Sequence, residues 1–339
     1  MPVLNIAFIG SENFARNLAK KSDSRDIESY VFKEGSGENS RILSFLRPLK
    51  YPDSLRPLLS VLNVTKVGVI EISALDSSLG EILVSFACAG IKKGIAVINP
   101  EEGNWVDIDQ INMIFSQLKL DWQIYQSMPE NHEIRELLFE MMNENNISEK
   151  SLILPIDQHF VVQGIGLVGI GYVQSGQIKK HDTIEVISSG EKGIVRSLQV
   201  MDDDVEVAYS GDRVGVAIRN LREEALHKGC IIVHPSSEVM VKHNHSSFLL
   251  NKAPFQKKLI KKDDIIHAST DMQFVVGRIT NISENNIEIK WENPLWVRSE
   301  QDNKIILTQL DAKPMRIIGT TKNIAVSYTH LTLPTIYSV

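Results

Sequence analysis

Residues 163–179 read Gln-Gly-Ile-Gly-Leu-Val-Gly-Ile-Gly-Tyr-Val-Gln-Ser-Gly-Gln-Ile-Lys. Short apolar runs alternate here with glycines, and similar runs follow at 183–187 and 214–218. Runs of this length, separated by Gly, Asp and Ser, predict strands joined by tight turns. Because the helical period is absent from this region, the pattern predicts a β-barrel.

A second β-rich region follows a break at 234–237. Its apolar runs lie at 274–279, 286–291 and 304–307. We therefore predict two barrel domains, at 150–234 and 235–325.

The chain before residue 150 has a different pattern. A strand at 5–9 ends at Gly10, and helical spacing follows at 14–21. Further strands are predicted at 66–72, 94–98 and 122–125, and further helices at 79–89, 108–118 and 134–143. This alternation predicts a doubly wound α/β domain at 1–149, with ligands bound beyond the carboxyl ends of its parallel strands.

Composition restricts the class of protein. The 339 residues carry a net charge of −6, which argues against a nonspecific nucleic-acid coat such as DNA binding by charge alone. No run approaches the roughly 18 apolar residues of a membrane span, and the amino terminus lacks a signal sequence, so we expect a cytoplasmic protein without a membrane partner. Cys88 and Cys230 are too few and too far apart for a disulfide framework.

The histidines and tryptophans of the third domain do not indicate a metal site or a base-stacking site. His243 and His245 have no carboxylate or cysteine nearby, so we assign no metal and expect a solvated loop. We expect Trp291 and Trp296 to be barrel core, not base-stacking platforms.

Four segments, at 163–168, 171–179, 208–215 and 228–230, resemble the second domain of elongation factor Tu relatives. They occur in the family's order, and the segment at 314–319 is similar to the last strand of its third domain. In the α/β domain the resemblance covers 52–59, 69–73, 80–82 and 90–94. We place the chain nearest to the archaeal selenocysteine-specific branch.

The resemblance implies a translation factor that acts on tRNA or the ribosome, as a monomer. It would also imply GTP or GDP with magnesium as cofactor, but the nucleotide motifs are altered and we expect no cofactor. A phosphate loop needs Gly-x-x-x-x-Gly-Lys-Ser/Thr. Alignment without a gap from Gly10 puts Ala15, Arg16 and Asn17 at its last three positions. Alternatively the loop has been shortened, and we favour this deletion because helical residues begin so soon after the strand.

The remaining motifs are altered too. Residues 47–50 replace Asp-x-x-Gly, and Tyr51 stands where the family has a water-positioning histidine, so no catalytic residue is assigned. Asn99 and Glu102 are what remains of the guanine-reading Asn-Lys-x-Asp. Ser127 either corresponds to the last base-contacting loop or belongs to an ordinary strand-to-helix turn. If the site still binds nucleotide, its candidate residues are Gly10, Ser11, Asn13, Arg16, Asn17, Asn99, Glu102 and Ser127.

The densest basic run lies in the predicted third domain, where relatives contact tRNA. Two hypotheses stay open for it, RNA binding and a solvated charged face, because Asp263 and Asp264 follow it directly. The run consists of Lys252, Lys257, Lys258, Lys261 and Lys262.

Three functions are consistent with these patterns. The first is a pseudo-GTPase of the translation apparatus that binds tRNA or the ribosome through its barrels. The second is a working GTP-dependent carrier of aminoacyl-tRNA, and the third is a protein-interaction scaffold outside translation. Residues 326–339 depart from the family and are interpreted as translated adapter sequence, so they are excluded from fold reasoning.

Overall fold

The computed structural model describes residues 2–35, 40–100, 105–142, 150–299 and 304–321. Glu102 and the segment 326–339 lie outside these ranges. The first domain contains, in chain order, β1 (Val3–Ile9), α1 (Glu12–Leu18), β2 (Lys20–Ser24), β3 (Ile27–Glu34), β4 (Arg41–Pro48), α2 (Arg56–Val64), β5 (Val67–Ile72), α3 (Ser77–Ala89), β6 (Lys93–Ile98), α4 (Ile108–Leu118), β7 (Asp121–Tyr125) and α5 (Asn131–Glu140).

Its sheet has the strand order β2-β3-β4-β1-β5-β6-β7. The strands β4, β1, β5, β6 and β7 are parallel, which confirms the predicted α/β domain. At one edge, β3 and β2 are antiparallel and were not predicted. The helix predicted at 14–21 ends at Leu18, because the backbone becomes extended at Ala19 and the polar strand β2 begins at once.

The second domain is a closed barrel. Its strands are β8 (Leu154–Val162), β9 (Gly166–Tyr172), β10 (Gln177–Lys179), β11 (Thr183–Val186), β12 (Glu191–Val200), β13 (Asp203–Val205), β14 (Val207–Tyr209), β15 (Arg213–Arg219) and β16 (Ile231–Val233). The order β11-β16-β8-β9-β15-β12 closes because β12 pairs again with β11. Gly171 permits the close approach of β8 and β9, since a Cβ there would lie 2.2 Å from the carbonyl oxygen of Pro155.

The third domain is also all-β. Its strands are β17 (Met240–Leu249), β18 (Asn251–Lys252), β19 (Ile265–Thr270), β20 (Gln273–Ser283), β21 (Asn286–Arg298), β22 (Ile305–Thr308) and β23 (Ile317–Thr321). The sheet order β17-β21-β20-β19-β22-β23-β18 returns to its starting segment, because Leu250 alone separates β17 from β18. The strand expected at 314–319 begins at Ile317, since the backbone N–H of Arg316 donates to Glu81 instead of to a strand.

The first domain packs on both barrels. Helices α2 and α3 share one hydrophobic core with Met272, Ile306, Met315 and Ile317 of the third domain. Strand β2 and the turn after it meet the second domain through two ion pairs, Asp23 with Arg213 at 2.9 Å and Asp26 with Lys228 at 2.5 Å. Within the described ranges, no helix is both long and apolar enough to cross a lipid bilayer.

Candidate functional site

The predicted nucleotide residues lie at one edge of the first domain. Gly10 follows β1, Asn99 follows β6 and Ser127 follows β7, while Arg47 is near the end of β4. Because these strands are parallel, their carboxyl ends meet at the same edge of the sheet. The edge is therefore the place where a nucleotide would bind in a doubly wound domain.

A carboxylate from the neighbouring strand fills the start of this edge. The backbone N–H of Ser11 donates to Oε2 of Glu71 at 2.6 Å, and Nδ2 of Asn99 donates to Oε1 of Glu71 at 2.7 Å. A Cβ built on Gly10 would lie 3.0 Å from the Glu71 side chain. Sequence analysis did not select Glu71, although a single acidic residue in the apolar strand β5 was a usable signal.

Arg47 occupies the other side of Gly10. Its Nε donates to the Gly10 carbonyl oxygen at 2.8 Å, and its Nη1 contacts Oε2 of Glu28 at 2.7 Å. Lys21 contacts the same carboxylate at 2.5 Å, and the Tyr30 hydroxyl donates to it at 3.0 Å. Burial raises the pKa of Glu28, but these hydrogen bonds outweigh burial and lower the pKa to about 2. Both cations thus already have an anionic partner.

The residues of α1 add no open phosphate cradle. Only Gly10 and Ser11 connect β1 to α1, and the Ser11 hydroxyl caps the helix by accepting from the N–H of Phe14 at 3.2 Å. Arg16, 55% exposed, forms an ion pair with Glu12 at 2.6 Å. Asn13 and Asn17 are exposed on the same helix, as is Ser127 after β7.

Tyr51 is hydrogen-bonded to the first turns of helix α3. Its hydroxyl donates to the carbonyl oxygen of Ser78 at 2.9 Å and contacts Oε2 of Glu81 at 3.1 Å. Burial raises the pKa of the Tyr51 hydroxyl above its ordinary value, and the Glu81 charge raises it further. A neutral phenol bonded in this way cannot act as a base toward water.

A second site lies in a groove between the two barrels, with a cavity volume of about 440 Å³. The side chains used below are Arg56 from α2, Lys228 from the second domain, and Lys242, Phe274 and Trp296 from the third. No Asp or Glu is among the described residues that line the groove. Cations next to aromatic rings are typical of sites that bind nucleic-acid strands.

The rings of this groove have cations near them. The Arg56 guanidinium lies 5.8 Å from the centre of the Phe274 ring, and Nζ of Lys242 lies 5.9 Å from that of Trp296. Buried Gln273 fixes the backbone of Trp296 by donating to its carbonyl oxygen at 2.7 Å. Trp291 is buried as expected. Trp296 is half-buried, because its ring packs against the core cluster of Ile231 and Met240 and also lines the groove.

Of the three cations, Lys228 is the one whose charge is already compensated by carboxylates. Its Nζ lies 2.5 Å from Asp26 and 3.2 Å from Asp157, so its charge is already balanced. Neither Arg56 nor Lys242 forms an ion pair with any carboxylate that the structure describes. These two side chains supply the free positive charge of the groove.

The predicted basic run lies on the surface of the third domain. Lys252 is in β18, while Lys257, Lys261 and Lys262 are exposed in the following loop. Lys258 is 3.6 Å from Asp311. The run is separate from the groove, and the structure brings none of its lysines into it.

The two histidines are not in a loop, contrary to expectation. Both belong to β17, with a bulge between them that turns His243 inward and leaves His245 exposed. Burial lowers the pKa of His243. Among the residues with described positions, no group of three or more His, Cys, Asp or Glu could hold a metal ion.

Comparison with known proteins agrees with this architecture. Residues 166–233 match the family model of elongation factor Tu domain 2. The second domain is thus similar to elongation factor Tu domain 2. An uncharacterized protein of Methanocaldococcus jannaschii is 28% identical over 324 residues, which cover 95% of this chain and 100% of that protein.

Selenocysteine-specific elongation factors are also similar to the chain. That of Methanocaldococcus jannaschii is 27% identical over 206 residues, covering 55% of this chain and 44% of the factor. The crystal structure of a bacterial selenocysteine-specific elongation factor has a TM-score of 0.79 at 17% identity, covering 97% of this chain and 60% of that one. The elongation factor SelB of Methanococcus maripaludis, in complex with the GTP analogue GppNHp, has a TM-score of 0.78 at 18% identity, covering 96% and 81%. The chain is thus similar to these elongation factors, and its match spans 44% of the selenocysteine-specific factor of Methanocaldococcus jannaschii.

Proposed function

We propose that this chain is a translation-factor relative that binds tRNA through its barrels without using GTP. The observation that carries the proposal is the 2.6 Å hydrogen bond from the Ser11 N–H to the Glu71 carboxylate. In a phosphate-binding loop, backbone N–H groups at this place donate to phosphate oxygens. Here an anion of the chain itself accepts the bond.

The charge balance at the edge supports the same conclusion. Arg47 and Lys21 contact Glu28, and Arg16 contacts Glu12, so none of these cations is left to neutralise a triphosphate. The two-residue connection at Gly10 and Ser11 also leaves little backbone to surround a phosphate. The proposal therefore includes two further points: the phosphate loop has been shortened, and the protein does not hydrolyse GTP.

The groove between the barrels supports the RNA-binding part. Arg56 and Lys242 can contact phosphates, and the Trp296 ring lines the groove as a platform for a base. Phe274 also lines it, with one ring face already stacked on His267 at 5.0 Å between ring centres. Base–aromatic stacking contributes about 1–3 kcal/mol per base. The groove is thus better suited to the end of an RNA strand than the basic run, whose surroundings include no such pair of rings.

The nucleotide part is tested by thermal denaturation with and without saturating magnesium-GTP. A ligand at 100 times its dissociation constant would stabilise the fold by about 2.7 kcal/mol, so binding would be visible. We expect an unchanged melting temperature and background phosphate release in the presence of ribosomes. A reproducible rise of several degrees would instead favour the GTP-dependent carrier, with Arg16 and Asn99 as contacts.

The RNA part is tested by titrating total tRNA into the wild type and two double variants. We expect Arg56→Gln/Lys242→Gln to weaken binding about tenfold or more, because it removes the free charge of the groove. The matched control, Lys257→Gln/Lys261→Gln, changes two exposed lysines of the basic run and should bind as the wild type does. Loss in the control alone would move the site to the basic run, and absence of tRNA binding by the wild type would favour the non-translational scaffold.

A further inference from the structure

A second cleft lies at the opposite end of the first domain's sheet, where the amino ends of β5 and β6 face the second and third domains. It consists of two adjoining cavities of about 240 and 440 Å³ that share Lys66, Gln174 and Ser210. The first extends over Lys92 and Lys93, and the second extends toward the third domain. None of these residues belongs to the nucleotide edge or to the groove described above.

Three lysines meet at this end of the sheet. Val67 is the register partner of Lys93 across β5 and β6, so Lys66 and Lys92, one position earlier, lie side by side at the same edge. All three lysines are exposed, and none forms an ion pair with a carboxylate in the part of the chain that the structure describes. Adjacent like charges on paired strands repel each other, so an anion bound between them would relieve this repulsion.

The rest of the lining agrees with an anion site. Hydroxyl and amide groups come from Ser151, Ser175, Ser210 and Gln174, and no Asp or Glu is among the described lining residues. Asp121 is the register partner of Lys93 on β7, but no ion pair joins them. Lys66 and Lys92 are therefore the least compensated cations of the cleft.

The cleft differs from the groove between the barrels in one respect that defines its ligand. No aromatic side chain is among its described lining residues, so it has no ring face for a base. Lysine ammonium groups, hydroxyls and an amide can contact phosphate oxygens but cannot identify a base by stacking. The chemistry selects phosphate groups whatever they are attached to.

We propose that this cleft is a second anion site, which binds the phosphate groups of an RNA backbone or of a free oligophosphate through Lys66 and Lys92. Because its residues are separate from Glu71, Arg56 and Lys242, the inference does not depend on the proposed function. A phosphate chain can follow the two joined cavities from Lys92 past Lys66 to Ser210, and each phosphate contacted releases condensed counterions from the strand.

The test compares the wild type with Lys66→Gln/Lys92→Gln, which removes two charges and keeps polar side chains. One arm measures binding of a labelled single-stranded RNA of about 12 nucleotides, a length that covers a typical single-strand site. The other arm measures binding of inorganic tripolyphosphate by calorimetry. The Lys257→Gln/Lys261→Gln protein serves as a control of equal charge, and melting temperatures verify that all three proteins are folded.

Two results support the proposal and distinguish an RNA ligand from a free oligophosphate. If RNA is the ligand, the variant loses affinity and its slope of log K against log salt is smaller by about 1.4, from two phosphate contacts at about 0.7 each. If a free oligophosphate is the ligand, the variant loses heat of binding to tripolyphosphate while RNA binding is unchanged. Equal binding of both probes by the folded variant and the wild type, or an equal loss in the control, overturns the proposal.

Discussion

Arg316 of the third domain contacts Glu81 of helix α3 through both its backbone and its side chain. The backbone N–H donates to Oε1 at 2.7 Å, and Nη2 lies 2.5 Å from Oε2. The side chains are only 16% and 5% exposed, and Nη1 also donates to the carbonyl oxygen of Pro52 at 2.8 Å. This pair joins the first domain to the third at the segment that contains Tyr51.

Removal of one partner of this pair should be costly. Arg316→Met leaves the Glu81 carboxylate buried without its cation, and such losses typically reach about 3–5 kcal/mol. Urea denaturation measures the change. The control Arg222→Met breaks an ion pair whose arginine is 78% exposed, and it should cost less than about 1 kcal/mol. Equal losses in the two variants would contradict the structural role of Arg316.

Glu28→Gln should destabilise the protein in a pH-dependent way. The folded-state pKa of about 2 is below the ordinary value of 4.5, so the stabilisation is complete above 4.5 and is lost as pH falls toward 2. We expect the variant to be less stable by about 2 kcal/mol at neutral pH, the scale of hydrogen bonds to a charged group. The gap between the unfolding midpoints of the wild type and the variant should be smaller near pH 3 than at neutral pH. A gap independent of pH would contradict the assigned cause.

Asp212→Asn should stabilise the protein, whereas Glu28→Gln should destabilise it. Burial raises the pKa of Asp212 from 3.8 to about 6, and one of its oxygens has no hydrogen-bond partner among the described atoms. The folded state therefore binds the proton more tightly, so stability falls as pH rises from 3.8 to about 6, and the full cost of the charged carboxylate is present above 6.

We expect Asp212→Asn to be more stable than the wild type by up to about 3 kcal/mol above pH 7, at about 1.4 kcal/mol per pKa unit. The advantage should shrink below pH 6 and vanish below 3.8. Asp202→Asn changes an exposed residue of the same barrel and should alter stability by less than about 0.5 kcal/mol. A destabilised Asp212→Asn at neutral pH would show that the carboxylate is favourable where it is.

Gly68→Ala should disrupt the centre of the first domain's sheet. A Cβ at Gly68 would lie 2.2 Å from the Trp122 ring, which packs edge-on against Phe86 at 4.9 Å between ring centres. Overpacking of this kind costs about 1–3 kcal/mol. Gly80→Ala is the matched control, because no heavy atom lies within 4 Å of its Cβ and the site is helical. The control should gain about 0.5–1 kcal/mol in a denaturation experiment, and a tolerated Gly68→Ala would contradict the observed packing.

The fold was predictable where burial of a strand or helix requires a recognisable pattern of apolar residues. Strands β1, β5 and β6 are buried on both faces, so they are continuous apolar runs that can be recognised one at a time. Strand β2 was missed because Lys20–Ser24 carries polar, largely exposed side chains and is held by backbone hydrogen bonds to β3. Such pairing leaves no hydrophobic pattern.

The candidate sites were less predictable for a related reason. Glu71 and Ser11 are 60 positions apart, and only the parallel pairing of β1 with β5 brings them together. Trp296 and Arg56 meet in one groove although they belong to different domains. A local sequence pattern predicts whether a segment is a helix or a strand. It does not predict which residues from distant parts of the chain its side chains will contact.

The hydrogen bond between Ser11 and Glu71 affects how well a dissolved phosphate can compete for the Ser11 N–H. A side chain that is tethered to its acceptor site competes with free ligands at an effective concentration on the order of millimolar or higher. A dissolved phosphate must displace a competitor that is made with the protein and never diffuses away. Under the proposed function, this internal acceptor makes the edge independent of the nucleotide supply of the cell.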